Sequence, residues 1–117
     1  MAEIQYYEAE DGSRPFLEWF EGLDPAVQNR VATAVARFEL DNFGDSKGVG
    51  EGVMERRLTF GPGYRVYYGR EAGRVVILLT GGTKKRQQRD IERAKRLWFE
   101  YLRRSEEDDE QQEEEAR

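Results

Sequence analysis

The clearest pattern along the chain is a pair of alternating apolar and polar runs, residues 53–60 and 64–68, separated by Gly61-Pro62-Gly63. Alternation on both sides of a glycine–proline break predicts a β-hairpin. A three-residue loop pairs Leu58 with Val66, whereas a two-residue loop would pair apolar with polar side chains. Because a slip of one residue moves every side chain to the opposite face, the three-residue loop is the predicted one.

This register predicts two chemically different faces on the hairpin. Phe60 and Tyr64 join Leu58 and Val66 on the apolar face. The polar face collects two guanidiniums, a phenol and a hydroxyl: Arg57, Arg65, Tyr67 and Thr59, with Arg57 opposite Tyr67 and Thr59 opposite Arg65. Guanidiniums beside an aromatic ring suit a site for phosphate groups and nucleobases.

The remaining apolar patterns predict elements on both sides of the hairpin. In chain order these are a strand over residues 3–9, a helix over Pro15–Glu21, a helix from Pro25 to about Asn42, a strand over Val75–Leu79 and a helix over about residues 85–104. The strand Val75–Leu79 is apolar on both faces, which is typical of a strand covered on both sides. Residues 45–52 are rich in glycine but match no nucleotide-binding glycine motif, so we expect a mobile loop at the rim of the sheet.

Length and composition limit the chemistry that is available. The 117 residues are enough for one domain with a modest core. The chain contains no cysteine and no histidine, which excludes disulfides, thiolate chemistry, histidine acid–base catalysis and the usual zinc sites. No apolar run approaches transmembrane length and no signal-peptide pattern is present. We therefore expect a cytoplasmic protein without metal, cofactor or membrane contact.

The net charge of −5 conceals a strong segregation of charge along the chain. Residues 1–52 have a net charge of −7, residues 53–104 of +9 and residues 105–117 of −7. Clustered Lys and Arg indicate a polyanionic partner, although arginine stems that merely cover apolar surface are the alternative. We predict a domain over residues 1–104 and an acidic tail over 105–117, either disordered or a frayed extension of the last helix.

The predicted start of the last helix carries four cations, Lys84, Lys85, Arg86 and Arg89. The helix macrodipole opposes cations at this end and favours anions. A bound phosphate would resolve the conflict by accepting free backbone N–H groups. Since the last strand returns toward the hairpin loop, we expect Lys84 and Lys85 to approach Arg65 and Thr59.

Several short motifs together resemble the RelE/ParE superfamily of toxins, most closely its HigB-like, phage-derived branch of addiction-module killer proteins. The resemblance covers about residues 2–102. The motifs that carry it are Pro15-Phe16-x-x-Trp19, Asn42-Phe43-Gly44-Asp45, Gly50-x-Gly52-Val53, Glu55-x-Arg57, Gly61-Pro62-Gly63-Tyr64-Arg65-Val66-Tyr67-Tyr68 and Leu78-Leu79-x-Gly81-Gly82-x-Lys84-x-x-Gln87-x-x-Asp90-Ile91. The resemblance implies a small α+β domain of order β-α-α-β-β-β-α, with a mostly antiparallel twisted sheet packed on helices. It also implies a growth-arresting RNase that acts on mRNA in the ribosome and is neutralised by a cognate helix-turn-helix antitoxin.

Arg57 and Arg65 match the sheet arginines of that family, and Lys84 matches its lysine after the last strand. Three positions depart from the family pattern. The family tends to have an acidic residue at Thr83, a small residue at Lys85 and an apolar residue at Arg56, so this site is more basic than usual.

RNA cleavage without a metal needs a base for the 2′-hydroxyl, stabilisation of the charged phosphorane and an acid for the leaving oxygen. Arg57 and Arg65 are the predicted phosphorane stabilisers. Lysine can serve as a base where nearby cations lower its pKa, which makes Lys84 or Lys85 a candidate. The predicted RNA-binding residues are Lys85, Arg86, Arg89, Thr59 and Arg56.

Tyr67 and Asp90 complete the predicted catalytic set, each with an alternative interpretation. Tyr67 stacks on an unpaired base or relays a proton, unless it is an ordinary cross-strand packing residue. Asp90 acts as a base or merely orients an arginine.

Three functions from different classes are compatible with this sequence. A ribosome-dependent endoribonuclease is the first, a ParE-like toxin that binds and inhibits gyrase is the second, and a non-catalytic RNA-binding relative is the third. If the acidic tail is flexible, we expect it to compete weakly with RNA for the basic site.

Overall fold

Five strands, three α-helices and a short 3-10 turn make up residues 1–116, the part of the chain that the computed structural model describes. In chain order the elements are β1 (Glu3–Tyr6), α1 (Pro15–Glu21), α2 (Pro25–Glu39), β2 (Ser46–Gly50), β3 (Val53–Leu58), β4 (Tyr64–Glu71), β5 (Val75–Thr83), the 3-10 turn Lys84–Arg86 and α3 (Gln87–Glu115). The α+β class is confirmed. Within residues 1–116 no helix combines the length and apolar composition needed to cross a membrane.

The strands form one mixed sheet in the order β1-β5-β4-β3-β2. β1 runs parallel to β5, while each of the other neighbouring pairs is antiparallel. β1 and β2 lie at opposite edges of the sheet, so the connection between them, which contains α1 and α2, crosses from one edge to the other.

Helices cover both faces of this sheet and create two apolar cores. On one face α1 and α2 pack Phe16, Val31 and Phe38 against residues such as Leu58 and Val66. On the other face α3 packs through side chains that include Ile91, Ala94 and Trp98. β5 contributes to both cores, and its residues Ile77, Leu78 and Leu79 are fully buried. The apolar character of Val75–Leu79 on both faces follows from this double coverage.

The predicted mobile loop over residues 45–52 is wrong, because Ser46–Gly50 forms the edge strand β2. It pairs antiparallel with β3, and its register shifts between Gly48 and Gly50. Glu51 and Gly52 form the connecting turn with φ values of 55° and 86°. Glycines supply no side-chain alternation, so the period-two signal of a strand is absent from this segment.

The predicted hairpin exists, but its register differs from the prediction by two residues. Leu58 pairs with Tyr64 and Arg57 with Arg65, around a five-residue loop rather than a three-residue one. A shift of two residues keeps every side chain on its face, so Leu58 still lies on the opposite face from Arg57 and Arg65. The predicted pairing of Leu58 with Val66 is therefore wrong, whereas the separation of the faces is correct.

The last helix extends past the predicted boundary at residue 104 and continues to Glu115. At 1.5 Å per residue, Glu106 lies about 28 Å along the axis from Gln87. The acidic residues are thus carried away from the basic start of α3, and the molecule measures 54 Å along its longest axis. The predicted competition with RNA assumed a flexible tail, and the helical continuation removes that assumption.

Candidate functional site

A cavity of about 490 Å³, here called the arginine cavity, opens between the β3–β4 loop and the 3-10 turn. Its lining residues are Asp45, Arg57, Thr59, Gly61, Pro62, Gly63, Arg65 and Lys84. Four of the ten residues selected from the sequence, Arg57, Arg65, Lys84 and Thr59, therefore lie around one space. Three of them are cations, which makes the cavity suited to an anion.

The backbone around Gly63 explains how Lys84 reaches the hairpin. The carbonyl of Gly63 accepts a hydrogen bond of 2.8 Å from the backbone N–H of Lys84. Gly63 has a φ of 77°, and a Cβ there would lie 3.3 Å from Cβ of Lys84. Glycine at this position therefore supplies both the left-handed conformation and the close approach of the two segments.

Arg57 is half-exposed and already has an anionic partner inside the protein. Its Nη2 lies 3.0 Å from Oδ1 of Asp45 and donates a hydrogen bond to it. This hydrogen bond lowers the pKa of Asp45, with Coulombic help from Arg57, Arg56 and Arg65. It also raises the pKa of Arg57. A phosphate entering the cavity must therefore compete with the Asp45 carboxylate for Arg57.

Arg65 is buried and is held by different groups. Its Nη1 donates to the carbonyl oxygens of Gly63 at 3.3 Å and Tyr64 at 3.5 Å. Its Nε lies 3.9 Å from Oε1 of Glu55, a carboxylate with no solvent exposure. Arg65 is thus anchored from inside the protein while it lines the cavity.

Glu55 is the centre of a buried polar network beneath the cavity. Tyr67 donates its hydroxyl to Oε2 at 3.0 Å, and Nε2 of Gln87 donates to both carboxylate oxygens at 3.0 and 3.2 Å. A buried carboxylate is tolerated only when hydrogen bonds and a cation compensate its lost hydration. Glu55 and Gln87 were not among the predicted site residues, although Glu55 alternates onto the face of Arg57 and gave a detectable signal.

The structure corrects the predicted location of Tyr67. Its side chain is fully buried in the core beneath α3, whereas the prediction placed it on an open polar face. Burial, followed by the neighbouring Glu55 carboxylate, raises the pKa of Tyr67. The phenol therefore stays neutral and donates to Glu55, and in this position its ring cannot stack on a nucleobase.

Two nitrogen donors at the cavity are buried without a partner. Among the described residues, neither Nε of Arg57 nor Nε of Arg65 has a hydrogen-bond acceptor. Buried polar groups are normally paired, and an unpaired one calls for an explanation such as an absent ligand. An anion in the cavity would supply the acceptor that Nε of Arg57 lacks, whereas Nε of Arg65 faces the Glu55 carboxylate at 3.9 Å.

A second cavity of about 330 Å³ adjoins the arginine cavity and shares Asp45, Arg57 and Thr59 with it. Arg56 lines this second cavity together with Arg30 and Arg37 of α2. The guanidinium of Arg30 lies 3.8 Å from the centre of the Phe60 ring. Sequence reasoning missed Arg30 and Arg37 because they belong to the acidic half of the chain. Their spacing of seven residues, two helical turns, was the available signal.

The remaining predicted residues lie outside the arginine cavity. Asp90 and Arg86 line a separate cavity of about 490 Å³ with Trp19 and Arg93, while Lys85 and Arg89 are exposed. Oδ2 of Asp90 is buried without a hydrogen-bond partner among the described residues. Burial raises the pKa of Asp90, and the surrounding arginines Arg93, Arg86 and Arg89 oppose the shift.

Comparisons with known proteins agree with a toxin-like assignment. The family model of phage-derived Gp49-like proteins (DUF891) matches residues 18–98. An uncharacterized protein of Haemophilus influenzae (strain Rd) is 44% identical over 83 residues, which is 70% of this chain and 84% of that protein. The matched range of the family model includes Arg57, Arg65 and Lys84.

Proposed function

The chain belongs to the Gp49-like family of phage-derived proteins, which is of the RelE/HigB-like toxin type, and on this premise we propose that it cleaves messenger RNA at the arginine cavity. The observation that carries the proposal is the convergence of Arg57, Arg65 and Lys84 on one cavity, where Nε of Arg57 is buried without a hydrogen-bond partner among the described residues.

The proposed reaction uses the RNA's own 2′-hydroxyl as the nucleophile. Its oxygen attacks the adjacent phosphorus and loses its proton to a base, and the bond to the 5′-oxygen breaks. The 5′-oxygen takes up a proton, so that the products are a 2′,3′-cyclic phosphate and a 5′-hydroxyl. Arg57 and Arg65 donate to the phosphorane oxygens, where the negative charge is greatest. Asp45 holds Nη2 of Arg57 at 3.0 Å in the free protein and must release this nitrogen before it can donate to the phosphorane.

The other residues take roles that follow from their positions. Lys84, the lysine of the cavity, is assigned to take the proton from the 2′-hydroxyl and to pass it to the leaving 5′-oxygen. Tyr67 acts as a positioning residue, because its hydroxyl reaches Glu55 and Glu55 in turn faces Arg65. Asp90 lies beyond the cavity and is assigned to positioning the start of α3. The RNA strand is bound on one side by Arg56 and Thr59 and on the other by Lys85, Arg86 and Arg89.

Two partners complete the proposal. The substrate is mRNA on the ribosome, and the neutralising partner is a cognate helix-turn-helix antitoxin. The antitoxin must cover or distort the arginine cavity, because an open cavity would leave the toxin active. Neither metal nor cofactor has a role in this reaction.

The test is induced expression in a bacterium, followed by mapping of mRNA 5′ ends. We expect growth arrest with cuts in phase with codons, and loss of both in Arg57→Ala. Removing one charge-stabilising donor typically lowers such a rate on the order of 10²–10³-fold. Arg57 is preferred over Arg65 because removing Arg65 would leave the buried Glu55 without its cation.

Arg74→Ala is the matched control, since it removes an exposed arginine from the β4–β5 turn at the opposite end of the hairpin. Growth arrest with intact mRNA and DNA-damage signalling would instead indicate gyrase inhibition. RNA binding without cleavage would indicate a non-catalytic relative. Codon-phased cutting that persists in Arg57→Ala would contradict the assignment of the site.

A further inference from the structure

Both ends of α3 carry charges that its own dipole disfavours. Residues 84–104 contain nine basic and three acidic side chains, whereas residues 105–116 contain eight acidic and no basic ones. The helix dipole favours anions at the N-terminus and cations at the C-terminus, which is the reverse of this arrangement. A partner with the opposite arrangement of charge would compensate both ends at once.

The acidic half of α3 also lacks support from the rest of the chain. The last contacts with the body are made by Arg104, whose guanidinium donates to the carbonyl of Glu8 and lies 5.4 Å from the ring centre of Tyr7. Every described residue from Glu106 onward is exposed. Like charges three and four residues apart on this exposed extension disfavour the helix, so a partner of opposite charge would stabilise it.

Exposed apolar side chains lie at the middle of the helix. Phe99 is 67% exposed and Leu102 is 39% exposed, three residues apart on one face. The helix runs from Gln87 to Glu115, so its midpoint is residue 101, between these two side chains. They line a groove on the outer side of α3 whose charged residues are Lys95, Arg96, Arg103, Glu51, Glu92 and Glu100.

We propose that two copies of this protein associate through antiparallel α3 helices, centred on Phe99 and Leu102. In this arrangement Phe99 of each copy packs on Leu102 of the other. The acidic half of each helix then lies along the basic half of the other, and the opposed dipoles compensate each other. An isologous contact of this kind closes on itself and yields a dimer.

The pairing predicts specific charge contacts. Centring the axis between Phe99 and Leu102 sets Lys95 opposite Glu106 of the second copy, once on each side of the axis. It also brings Glu92 near Asp109, a like-charged contact that offsets part of the gain. The sheet packs only on the basic half of α3, and the acidic half is exposed. In the antiparallel pair, the acidic half of each α3 therefore lies along the basic half of the other α3, and the two sheets lie at opposite ends of the helix pair.

A charge-reversal experiment tests both the surface and its orientation. The purified protein is examined by sedimentation velocity at low and high salt. We expect a dimer at low salt that weakens at high salt, because exposed charge pairs are screened. Lys95→Glu and Glu106→Lys should each weaken dimerisation on the order of tenfold. The double variant should restore it.

Residues 95 and 106 of one chain lie about 16 Å apart along the helix, so an intramolecular contact could not produce this rescue. Phe99→Ala combined with Leu102→Ala should abolish the dimer, with far-UV circular dichroism confirming that the exposed substitutions leave the fold intact. A wild type that remains monomeric at low salt would overturn the proposal. So would a dimer that is indifferent to every one of these substitutions. Neither result depends on RNA cleavage, so this experiment tests dimerisation independently of the proposed function.

Discussion

Arg57 and Arg65 are direct cross-strand partners, yet the protein holds them in different ways. The Arg65 side chain is 8% exposed and is fixed by Glu55 and by two loop carbonyls. The Arg57 side chain is 39% exposed, and an exposed carboxylate, that of Asp45, is its partner. A surface ion pair of this kind exchanges readily, whereas a buried one does not. Arg65 is therefore a fixed donor and Arg57 an exchangeable one.

This difference predicts that Asp45→Asn strengthens anion binding. The substitution removes the carboxylate that competes for Arg57, while the neutral amide preserves the shape of the side chain. We expect single-stranded RNA to bind several-fold more tightly at low salt, with the advantage decreasing as salt screens the exposed charges. Fluorescence anisotropy with a labelled oligonucleotide measures the change.

Asp41→Asn is the matched control, because it changes the net charge equally at an exposed residue that pairs with the N-terminal amine at 3.7 Å. Equal affinities for Asp45→Asn and Asp41→Asn would mean that only net charge matters and that Asp45 does not guard Arg57.

At the scale of the elements, α3 approaches the sheet closely because glycine leaves room for an aromatic ring. A Cβ at Gly69 of β4 would lie 2.4 Å from Cζ3 of Trp98, well inside van der Waals contact. Trp98 is 5% exposed and belongs to the core beneath α3. The position of α3 therefore depends on glycine at residue 69. The position of Gln87, at the start of the same helix, depends on it as well.

Gly69→Ala is accordingly expected to destabilise the protein by about 1–3 kcal/mol, the usual cost of overfilling a packed core. Urea unfolding followed by tryptophan fluorescence measures the loss. Gly48→Ala is the control, since a Cβ there would meet only Sδ of Met54 at 3.9 Å on the edge strand. If both variants unfolded at the wild-type midpoint, close packing at Gly69 would not be what positions α3.

The elements with strong periodicity could be predicted from the sequence, and those without it could not. Helix α1 has the predicted bounds Pro15–Glu21. Proline marks its first turn, and the apolar residues Phe16, Leu17, Trp19 and Phe20 mark the side that faces the protein. β2 was missed because Gly48 and Gly50 lie within it and Gly52 follows it, so this segment has no alternation of apolar and polar side chains. The hairpin faces were correct while the register was not, since Phe60 packs on Tyr64 from within the loop, with 5.2 Å between ring centres.

The site shows the same division. Arg57, Arg65 and Lys84 could be selected because alternation and helix-end charge act locally along the chain. Tyr67 could not be placed, because its exposure depends on how α3 covers the sheet. Asp45 and Gln87 were missed for a related reason: each reaches the site across a sequence separation of at least twelve residues.

At the scale of the whole molecule, the segment that follows β1 contacts the middle of α3. Tyr7 follows β1, and its hydroxyl donates to Oε2 of Glu100 in α3 at 2.9 Å. Arg103 approaches Glu10 at 3.9 Å beside it. Burial of the phenol, reinforced by the Glu100 carboxylate, raises the pKa of Tyr7 to about 12.

The raised pKa predicts an alkaline loss of stability. An unfolded tyrosine ionises near pH 10, so the contribution of Tyr7 is complete below that pH and is lost as pH rises toward 12. Tyr7→Phe cannot ionise and should lose less stability over this interval, by on the order of 1–2 kcal/mol. Urea midpoints at pH 8, 10 and 11 provide the comparison, with the exposed neighbour in Tyr6→Phe as control. Identical pH profiles for wild type and Tyr7→Phe would contradict the role of this phenol.

The parallel pairing of β1 with β5 has a consequence for the order in which the protein can be completed during synthesis. Glu3 pairs with Val75, so β1 has no strand partner until β5 has been synthesised. Contacts of such high sequence separation form late and slowly. The arginine cavity has the same dependence, because Lys84 lines it and Gln87 supports it from the start of the last helix. A nascent chain therefore completes the arginine cavity only after the start of α3 has been synthesised.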